Sequence, residues 1–558
     1  MHMTTPQKLA LKAIALAAFA YGTGVQAQTL DSGALLRQTE SLPKQLPLPT
    51  TPLREAAPLP LEQLDQATVT VTAFEFSGNH RLVNDRLALA VASFLNRPLT
   101  FAQLQKAAEA VTSAYRESGW VVRTYLPKQD ISNGVVTLQV VEAVFGQVSI
   151  EAPAPQRIKP QVFTAIAKAA QGVDQPFIAG ALDRALLLME DLPGVNVTGR
   201  LVQGEQHGQT NLVISATDKA LITGTVSTDN YGSLSTGTER LNASVAINSP
   251  AGLGDLLTSD FLKTLGVNYE RIAYSLPAGP RGARAGLHLS RLDYRLVGDF
   301  AALDAHGSVQ SKGLDFSYPL LRSQNRNLNW VLAYDTKNFD DTASSVLASK
   351  SINVLNVALN AMQLDGFAGG GMNSANFSIT SGKVNLLGDA NSSADAATAQ
   401  TAGRYTKSTL TLSRLQTVAN DMTLNVTSNM QVASRNLDSS EKLYLGGAGG
   451  IKAYPTGEGG GSEGRTLSVE LQKRLDAQWT LAGFYDYGRI KVLRNNLIAK
   501  EHNQYELQGF GASMSWQASR AVTAKATIAH RLGDNVTATD IDGTKKMTRL
   551  WINASLAF

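Results

Sequence analysis

Residues 550–558, LWINASLAF, close the 558-residue chain and alternate strictly between two kinds of side chain. Successive residues of a β-strand point to opposite faces. One face would carry the apolar side chains of Leu550, Ile552, Ala554, Leu556 and Phe558. Asn553 and Ser555 fall on the other face. One face therefore suits hydrocarbon and the other suits water, which predicts a strand of a membrane β-barrel that ends on an aromatic residue.

Residues 445–464, LGGAGGIKAYPTGEGGGSEG, form a glycine-rich segment before a predicted strand at Arg465–Lys473. The segment is too long and too rich in glycine for a hairpin turn, and such long connections are usually functional. Glycine allows positive φ and close approach of backbones, which a loop returning through a narrow lumen needs. A phosphate-binding loop is excluded because no GxxxxGK(S/T) pattern occurs. We therefore predict a barrel that holds a loop, residues 441–464.

The composition excludes several classes of protein. Charged residues make up 17% of the sequence, below the roughly 25% typical of soluble domains. The formal charge of +4 is too small to indicate nucleic acid as a partner. Cysteine is absent, which excludes disulfides and thiolate metal sites. No apolar run of about 18 residues follows the N-terminus, so a membrane-spanning part would have to consist of strands.

The N-terminus has the pattern of a secretory signal peptide. Lys8 and Lys12 precede or interrupt an apolar run over residues 13–21, and Val25-Gln26-Ala27 supplies a small-residue cleavage site. We predict a signal peptide over residues 1–27 that exports the chain from the cytoplasm of a double-membraned bacterium. The alternative is a short buried helix.

A short helix and a proline-rich tether are predicted next. Residues 28–42 contain the helix, with Leu35 and Leu36 at helical spacing and Arg37 beside them. The linker over residues 43–67 is dense in proline, which favours an extended, semi-stiff tether. A marginal helix on a tether is either a disordered leader or a removable plug, and composition alone favours the leader.

Two modules of the same element order follow, at residues 68–142 and 143–218. Each has the order β-α-α-β-β, which indicates an internal repeat. In the first, Thr100 is the predicted N-cap of a helix that Gly119 ends. Predicted elements are strands 69–76, 121–127 and 135–141 with helices 85–95 and 100–118, then strands 146–151, 195–203 and 210–216 with helices 159–171 and 178–192. Such modules can add a strand from a client at an exposed sheet edge, or act only as spacers.

Residues 219–558 lose helical periodicity and contain about sixteen strand-like runs separated by Gly, Asn, Asp and Ser. Strands of about ten residues with unequal loops are typical of a transmembrane barrel. A soluble all-β array is the rival. The signal peptide, the aromatic C-terminus and strands longer than the usual 5–6 residues favour the barrel.

The whole mature chain resembles the two-partner secretion transporters, the TpsB family, and more distantly the barrel-assembly insertases. The two modules resemble POTRA domains. Residues 228–233, TDNYGS, with Gly237 and Arg240 resemble the family's first barrel hairpin. Gly446 and Gly447, followed by Ile451-Lys452-Ala453-Tyr454, resemble the Val-Arg-Gly-Tyr/Phe tip of its sixth external loop. The strand motif Phe-x-Asp-x-Gly is matched by Phe484, Asp486 and Gly488.

The resemblance implies a barrel of sixteen antiparallel strands whose sixth loop joins the eleventh and twelfth strands and folds back into the lumen. It implies that Lys452 pairs with Asp486. The chain departs from the family pattern by having Lys452 for Arg and Ala453 for Gly. Lys offers a point charge where Arg offers a planar fork, so the pair would be less fixed geometrically. Without the resemblance, Lys452 would be an ordinary solvated lysine, and Tyr454 a packing residue.

The resemblance also gives roles to both ends of the chain. It implies that the helix carrying Leu35, Leu36 and Arg37 plugs the lumen and leaves it during transport. It implies that Trp551 and Phe558 belong to a C-terminal signal for the barrel-assembly machinery.

Motifs for catalysis or metal binding are not found. The seven His residues are scattered without HExxH spacing, and no Gly-x-Ser-x-Gly elbow occurs. Glu190-Asp191 and Asp340-Asp341 are predicted to be solvated at helix ends or loops. We expect no catalytic residue, metal or cofactor.

The predicted function is an outer-membrane transporter that secretes a large unfolded exoprotein without ATP, with the POTRA domains in the periplasm. The client would be a β-helical adhesin, haemolysin or toxin, and lipid would surround the barrel. The alternatives are a barrel-assembly insertase and a passive porin.

Overall fold

The computed structural model describes residues 31–40, 68–131, 133–206, 208–343, 346–500, 502–533 and 544–558. The predicted signal peptide and the proline-rich linker lie outside these residues. No helix among the described residues is long and apolar enough to cross a membrane.

Helix α1 (Ser32–Glu40) precedes the two modules. The first module follows the predicted order with two extra strands. Its strands are β1 (Thr68–Val71), β2 (Ala73–Ser77), β3 (Arg97–Thr100), β4 (Val122–Tyr125) and β5 (Val135–Glu142), and its helices are α2 (Asn84–Val91) and α3 (Phe101–Glu117). The Thr100 side chain caps α3 and forms a capping box with Gln103. Val111 and Tyr115 of α3 are fully buried against Val136 of β5.

The prediction of a single strand over 69–76 is wrong. The chain bends at Thr72, whose N–H donates to the Gly134 carbonyl (2.8 Å). Residues before the bend pair with β3, which the sequence pattern did not predict, and residues after it pair in parallel with β5.

The second module has the order β6 (Val144–Ile150), α4 (Pro160–Ala170), α5 (Ala179–Glu190), β7 (Val195–Gln203) and β8 (Gln209–Asp218). Its sheet order is β6-β8-β7, with β6 parallel to β8. The fully buried rings of Phe145 and Phe163 lie in its core. Backbone bonds join the modules, because Val121 N–H donates to Phe177 O (3.2 Å) and Ala179 N–H donates to Gly119 O (3.2 Å).

The rest of the chain forms a closed barrel of sixteen antiparallel strands, which confirms the predicted fold class. The barrel strands are β9 (Ile222–Asp229), β10 (Arg240–Asn248), β11 (Leu256–Lys263), β12 (Val267–Pro277), β13 (Arg284–Arg295), β14 (Ala305–Arg322), β15 (Arg326–Ala343), β16 (Val346–Asp365), β17 (Gly371–Leu387), β18 (Gly403–Ala419), β19 (Met422–Ala433), β20 (Glu463–Arg474), β21 (Trp479–Lys491), β22 (Gln504–Gln517), β23 (Val522–Arg531) and β24 (Thr548–Ala557). The last strand pairs with the first and closes the cylinder.

The strand faces follow the alternation of the sequence. Leu550, Ile552 and Leu556 are about half exposed on the outer wall, whereas Trp551 between them is 5% exposed and points inward. The expected strand length of about ten residues is too short for β14 to β18, which have 17 to 20 residues. Since ~9–11 tilted residues cross the hydrocarbon, these strands project beyond it. Helix α6 (Asp389–Ala397) lies in the connection between β17 and β18, at the projecting end of these strands.

Candidate functional site

The lumen is closed by a folded loop and by helix α1 (Ser32–Glu40). The loop connects β19 to β20, which are the eleventh and twelfth barrel strands. It therefore begins at residue 434, before the predicted start at 441. We call residues 434–445 the loop base and residues 446–462 the loop tip.

Lys452 of the loop tip reaches Asp486 on β21. Its Nζ lies 3.0 Å from Asp486 Oδ1 and 3.2 Å from Oδ2, and its backbone N–H also donates to Oδ2 (3.1 Å). The Ser468 hydroxyl donates to Oδ1 (2.8 Å), and Asp486 is fully buried. The ammonium sits 4.3 Å from the centre of the Phe484 ring. The adjacent ammonium and the hydrogen-bond donors therefore compensate the buried negative charge of the Asp486 carboxylate inside the lumen.

Small residues let the tip approach the wall. A Cβ at Gly488 would lie 3.2 Å from Ile451 Cδ1, and one at Gly446 would lie 2.7 Å from Glu458 Cβ. Gly447 has a φ of +116°, which favours glycine. Ile451, Ala453 and Tyr454 are each at most 1% exposed and pack with Leu445, Phe484, Ile490 and Leu507.

The tip also contacts both sides of the seam at which β24 pairs with β9 and closes the barrel. The Trp551 indole N–H of β24 donates to the Lys452 carbonyl (2.7 Å), and the Thr456 hydroxyl donates to Tyr231 O just after β9 (2.8 Å). The Arg531 guanidinium lies 4.5 Å from the Tyr454 ring centre. The structure therefore places Trp551 against the loop tip. Phe558, in contrast, is 57% exposed at the other end of β24.

The predicted first hairpin contains a second buried ion pair. Arg240 Nε and Nη2 donate to the two carboxylate oxygens of Asp229, at 2.6 and 3.0 Å. The Tyr231 N–H also donates to Asp229 (2.9 Å). The bidentate pair fixes the hairpin that receives Thr456.

The loop base binds helix α1. A Cβ at Gly33 would lie 2.6 Å from Ser439 Oγ, so the helix lies very close to the base. The Ser439 hydroxyl donates to Asp31 Oδ2 (2.6 Å). Leu35 and Leu36 are 5% and 1% exposed, and Arg37 is partly exposed. The two leucines belong to a buried cluster that contains Tyr269, Leu292, Tyr294, Phe339, Ile352, Tyr405 and Leu437.

The prediction that Asp340-Asp341 is solvated is wrong for Asp341. Both residues lie on β15, where alternation sends Asp340 outward and Asp341 into the lumen. Asp341 is 6% exposed and accepts bonds from Ser32 N (3.0 Å), Ser32 Oγ (2.8 Å) and Tyr294 Oη (2.9 Å). It holds the first residue of α1 against the wall.

Buried charges connect the base to the wall. Lys350 Nζ of β16 lies 2.8 Å from Asp438 and 3.6 Å from Asp31. Glu441 lies 2.8 Å from Lys407 Nζ and 3.5 Å from Lys337 Nζ. Burial alone would raise the pKa of the Glu441 carboxyl, but these two ammonium groups outweigh it and lower that pKa to about 2.

This charge cluster was not predicted from the sequence. Its lysines occupy lumen-facing positions on strands that are distant in sequence from the loop base. At such positions any polar residue fits the alternation. The only local signal is the acidic pair Asp438 and Glu441 just before the glycine-rich segment.

The second module is held at the opposite mouth of the barrel. Arg322 of β14 forms a bidentate pair with Asp191 (2.8 Å for both bonds), and Arg184 Nη2 donates to Pro319 O (2.6 Å). Glu190 accepts from Val197 N–H and lies 3.3 Å from Lys219 Nζ. The prediction that Glu190-Asp191 is solvated is wrong for Glu190, whose side chain is 18% exposed, whereas Asp191 is 48% exposed and still pairs with the barrel rim.

Comparisons with known proteins agree with this architecture. A family model described as haemolysin secretion/activation protein ShlB/FhaC/HecB matches residues 208–516, and a model of the ShlB-type POTRA domain matches residues 69–143. The heme/hemopexin transporter protein HuxB of Haemophilus influenzae is 26% identical over 474 residues, covering 82% of each chain. The solved structure of CdiB from Escherichia coli covers 100% of both chains with a TM-score of 0.69 and 20% identity. The BamA structure from Haemophilus ducreyi, with a TM-score of 0.55 and 12% identity, covers 88% of this chain and 100% of that one and shares the fold.

Proposed function

This chain belongs to the haemolysin secretion/activation family represented by ShlB, FhaC and HecB, and on that premise we propose that an unfolded exoprotein passes through its lumen once α1 has left. The chain is an outer-membrane transporter of two-partner secretion, with its POTRA domains in the periplasm. Because both α1 and the lumen loop pack on the inner wall, passage of a client requires that both segments move.

One observation carries the proposal: α1 occupies the path that the client needs. Its leucines pack on the inner wall and its first residues bind both Asp341 of the wall and Ser439 of the loop base. A short helix is marginal alone in water, so the lumen contacts hold it in place. Its departure uncovers the inner wall on which it packs and leaves the loop base without its partner.

The periplasmic modules recruit the client by strand addition. In the second module the sheet order leaves β7 at an edge, and the module is fixed to the barrel mouth by Arg322 and Asp191. An extended client segment that pairs with a sheet edge gains main-chain hydrogen bonds. Fixing the module at the mouth brings that segment next to the lumen. Folding of the client outside then draws the chain through without ATP.

Two further partners belong to the proposal. Alternating apolar positions on the outer wall contact membrane lipid. The C-terminal strand, with Trp551 facing inward and Phe558 exposed at its end, is the segment that the barrel-assembly machinery recognises during biogenesis. The loop motif positions the tip across the barrel closure through Lys452 and Asp486.

A disulfide between α1 and the wall tests the proposal. The chain has no cysteine, so Ser32→Cys with Asp341→Cys introduces the only pair. We expect the oxidised double variant to stop secretion of a co-expressed two-partner exoprotein that the wild-type chain secretes, and a reductant to restore secretion. The single variant Ser32→Cys is the control. Secretion that continues at the wild-type rate with the disulfide formed would contradict helix exit.

The modules are tested separately by deleting residues 68–217. We expect secretion to stop, while a chain that also lacks residues 31–40 still conducts ions in planar bilayers. A passive porin has no client, so the deletion would leave its function, the conduction of ions, unchanged. Intact secretion after the deletion would contradict the recruiting role.

A further inference from the structure

Among the residues that the structure describes, a pair of cations on the outer wall of the barrel has no carboxylate partner. Lys383 on β17 lies directly opposite Arg404 on β18 in the antiparallel register. Both side chains are exposed. Directly opposite residues have Cβ atoms ~4.5–5.5 Å apart, and like charges in that arrangement destabilise a sheet. Arg435 adds a third cation beside them, since it donates to the backbone carbonyls of Arg404 (3.3 Å) and Gln400 (2.6 Å).

The pair lies just beyond the external end of an apolar band on the outer wall, with the polar Ser381 and Thr406 in between. Phe377 and Ile379 share the outward face of β17 with Lys383 and are 42% and 45% exposed, and Leu412 shares that of β18 with Arg404 and is 47% exposed. The same face carries Arg414 ten residues along β18 from Arg404, towards the periplasm. Since ~9–11 tilted residues span the hydrocarbon, Arg414 marks one headgroup level and Lys383 with Arg404 the other.

The periplasmic cation is neutralised by the protein itself. Arg414 forms a bidentate pair with Asp365 (2.7 and 3.0 Å) and donates to Asn373 (2.8 Å). On the external side, the β16 neighbour of Lys383 is the neutral Asn353. Within the part of the chain that the structure describes, no carboxylate lies within ion-pair distance of Lys383 or Arg404.

A second like-charge pair on the outer wall is different. Arg465 of β20 lies opposite Arg489 of β21, but Glu506 of β22 is the next residue across and lies 3.7 Å from Arg489. The described part of the chain therefore supplies a counter-charge to this second pair but none to Lys383 and Arg404.

We propose that Lys383 and Arg404 bind a phosphate group of an anionic lipid in the external leaflet of the outer membrane. A phosphate between the two cations would convert their repulsion into two charge-assisted contacts. Arg435 would approach the same anion from the loop side. The bound lipid would hold β17 and β18, the strands under helix α6, at a fixed height in the membrane.

The test uses the full chain, purified in a neutral detergent and titrated with dioleoyl phosphatidic acid under native mass spectrometry. We expect Lys383→Gln with Arg404→Gln to bind this lipid roughly thirtyfold more weakly, because each cation near an anionic surface contributes about fivefold. Lys383→Gln alone should lose about fivefold. The charge-preserving double variant K383R/R404K should bind like wild type, and so should Arg414→Gln, which lies at the periplasmic level.

Several results would overturn the proposal. One is equal affinity of wild type and the double Gln variant, provided that both remain folded by heat-modifiable gel migration. Equal binding of dioleoyl phosphatidylcholine would exclude a phosphate site specific for anionic lipid. Displacement of the lipid by an equal concentration of inorganic phosphate would assign the site to a free anion.

Discussion

The tip and the base of the lumen loop are adjacent in sequence but are anchored differently. The tip binds β21, β24 and the hairpin after β9 through the Lys452–Asp486 ion pair and through hydrogen bonds to backbone carbonyls. The base binds β15, β16 and β18 through buried charges, and it shares Lys350 with helix α1. We expect departure of α1 to change the surroundings of the base and to leave the contacts of the tip in place. On this proposal the base responds to the presence of α1, and the tip holds the barrel closure.

The largest effect that we expect comes from Lys350→Met. This change leaves Asp31 and Asp438 without their shared cation. Removing one partner of a buried pair costs ~3–5 kcal/mol, because the other charge stays buried. We expect α1 to leave the lumen in most molecules, which would appear as larger and longer-lived openings in planar bilayers.

Lys312→Met is the matched control, since Lys312 is an exposed lysine on the outer face of β14. Its conductance should equal that of wild type. If Lys350→Met stays as closed as this control, the base does not hold the helix and the distinction between the two halves of the loop fails.

The pairing of the tip could be predicted only because its residues resemble a short motif of the family, since Lys452 alone indicates an ordinary solvated lysine. Residues 451–454 and the strand motif ending at Gly488 are short patterns with fixed spacing, and strand counting placed the loop between the correct strands. The alternation of apolar and polar residues likewise predicted the barrel. These features depend on neighbours in sequence.

The base could not be predicted in the same way. Asp341, Lys350 and Lys407 occupy inward positions on three strands, and alternation distinguishes inward from outward but not one inward partner from another. Which lysine meets Asp438 depends on the register of the closed cylinder. The bend at Thr72 was missed for a similar reason, because it depends on Gly134, which is distant in sequence.

A smaller effect is expected from Asp486→Asn in the tip. The carboxylate accepts from the Lys452 backbone N–H, the Lys452 ammonium and the Ser468 hydroxyl. Hydrogen bonds to charged groups are worth ~1.5–3 kcal/mol, and the neutral amide retains the volume. We expect a lower temperature for loss of compact migration in detergent gels, while the channel stays plugged in bilayers.

Lys452→Arg is the control for the tip, because it preserves the charge and should leave the transition temperature close to that of wild type. The charge-swapped variant K452D/D486K should recover part of the secretion lost by each single variant. A swap that secretes no better than either single variant would count against direct pairing. An open channel in Asp486→Asn would show that the tip also holds the plug.

The smallest effect is a dependence on acid that is confined to the base. Lys407 and Lys337 hold the pKa of Glu441 at about 2, below its ordinary value of 4.5, despite its burial. A lowered pKa means that the stabilising contribution is complete above pH 4.5 and is lost as the pH falls towards 2. Protonation leaves the two lysines without their carboxylate, so we expect plug-opening events in bilayers to become more frequent over this range.

Glu441→Gln should open equally often at both ends of the range, since it has no proton to gain. If its openings rise with acid as steeply as those of wild type, the acid response arises elsewhere in the lumen.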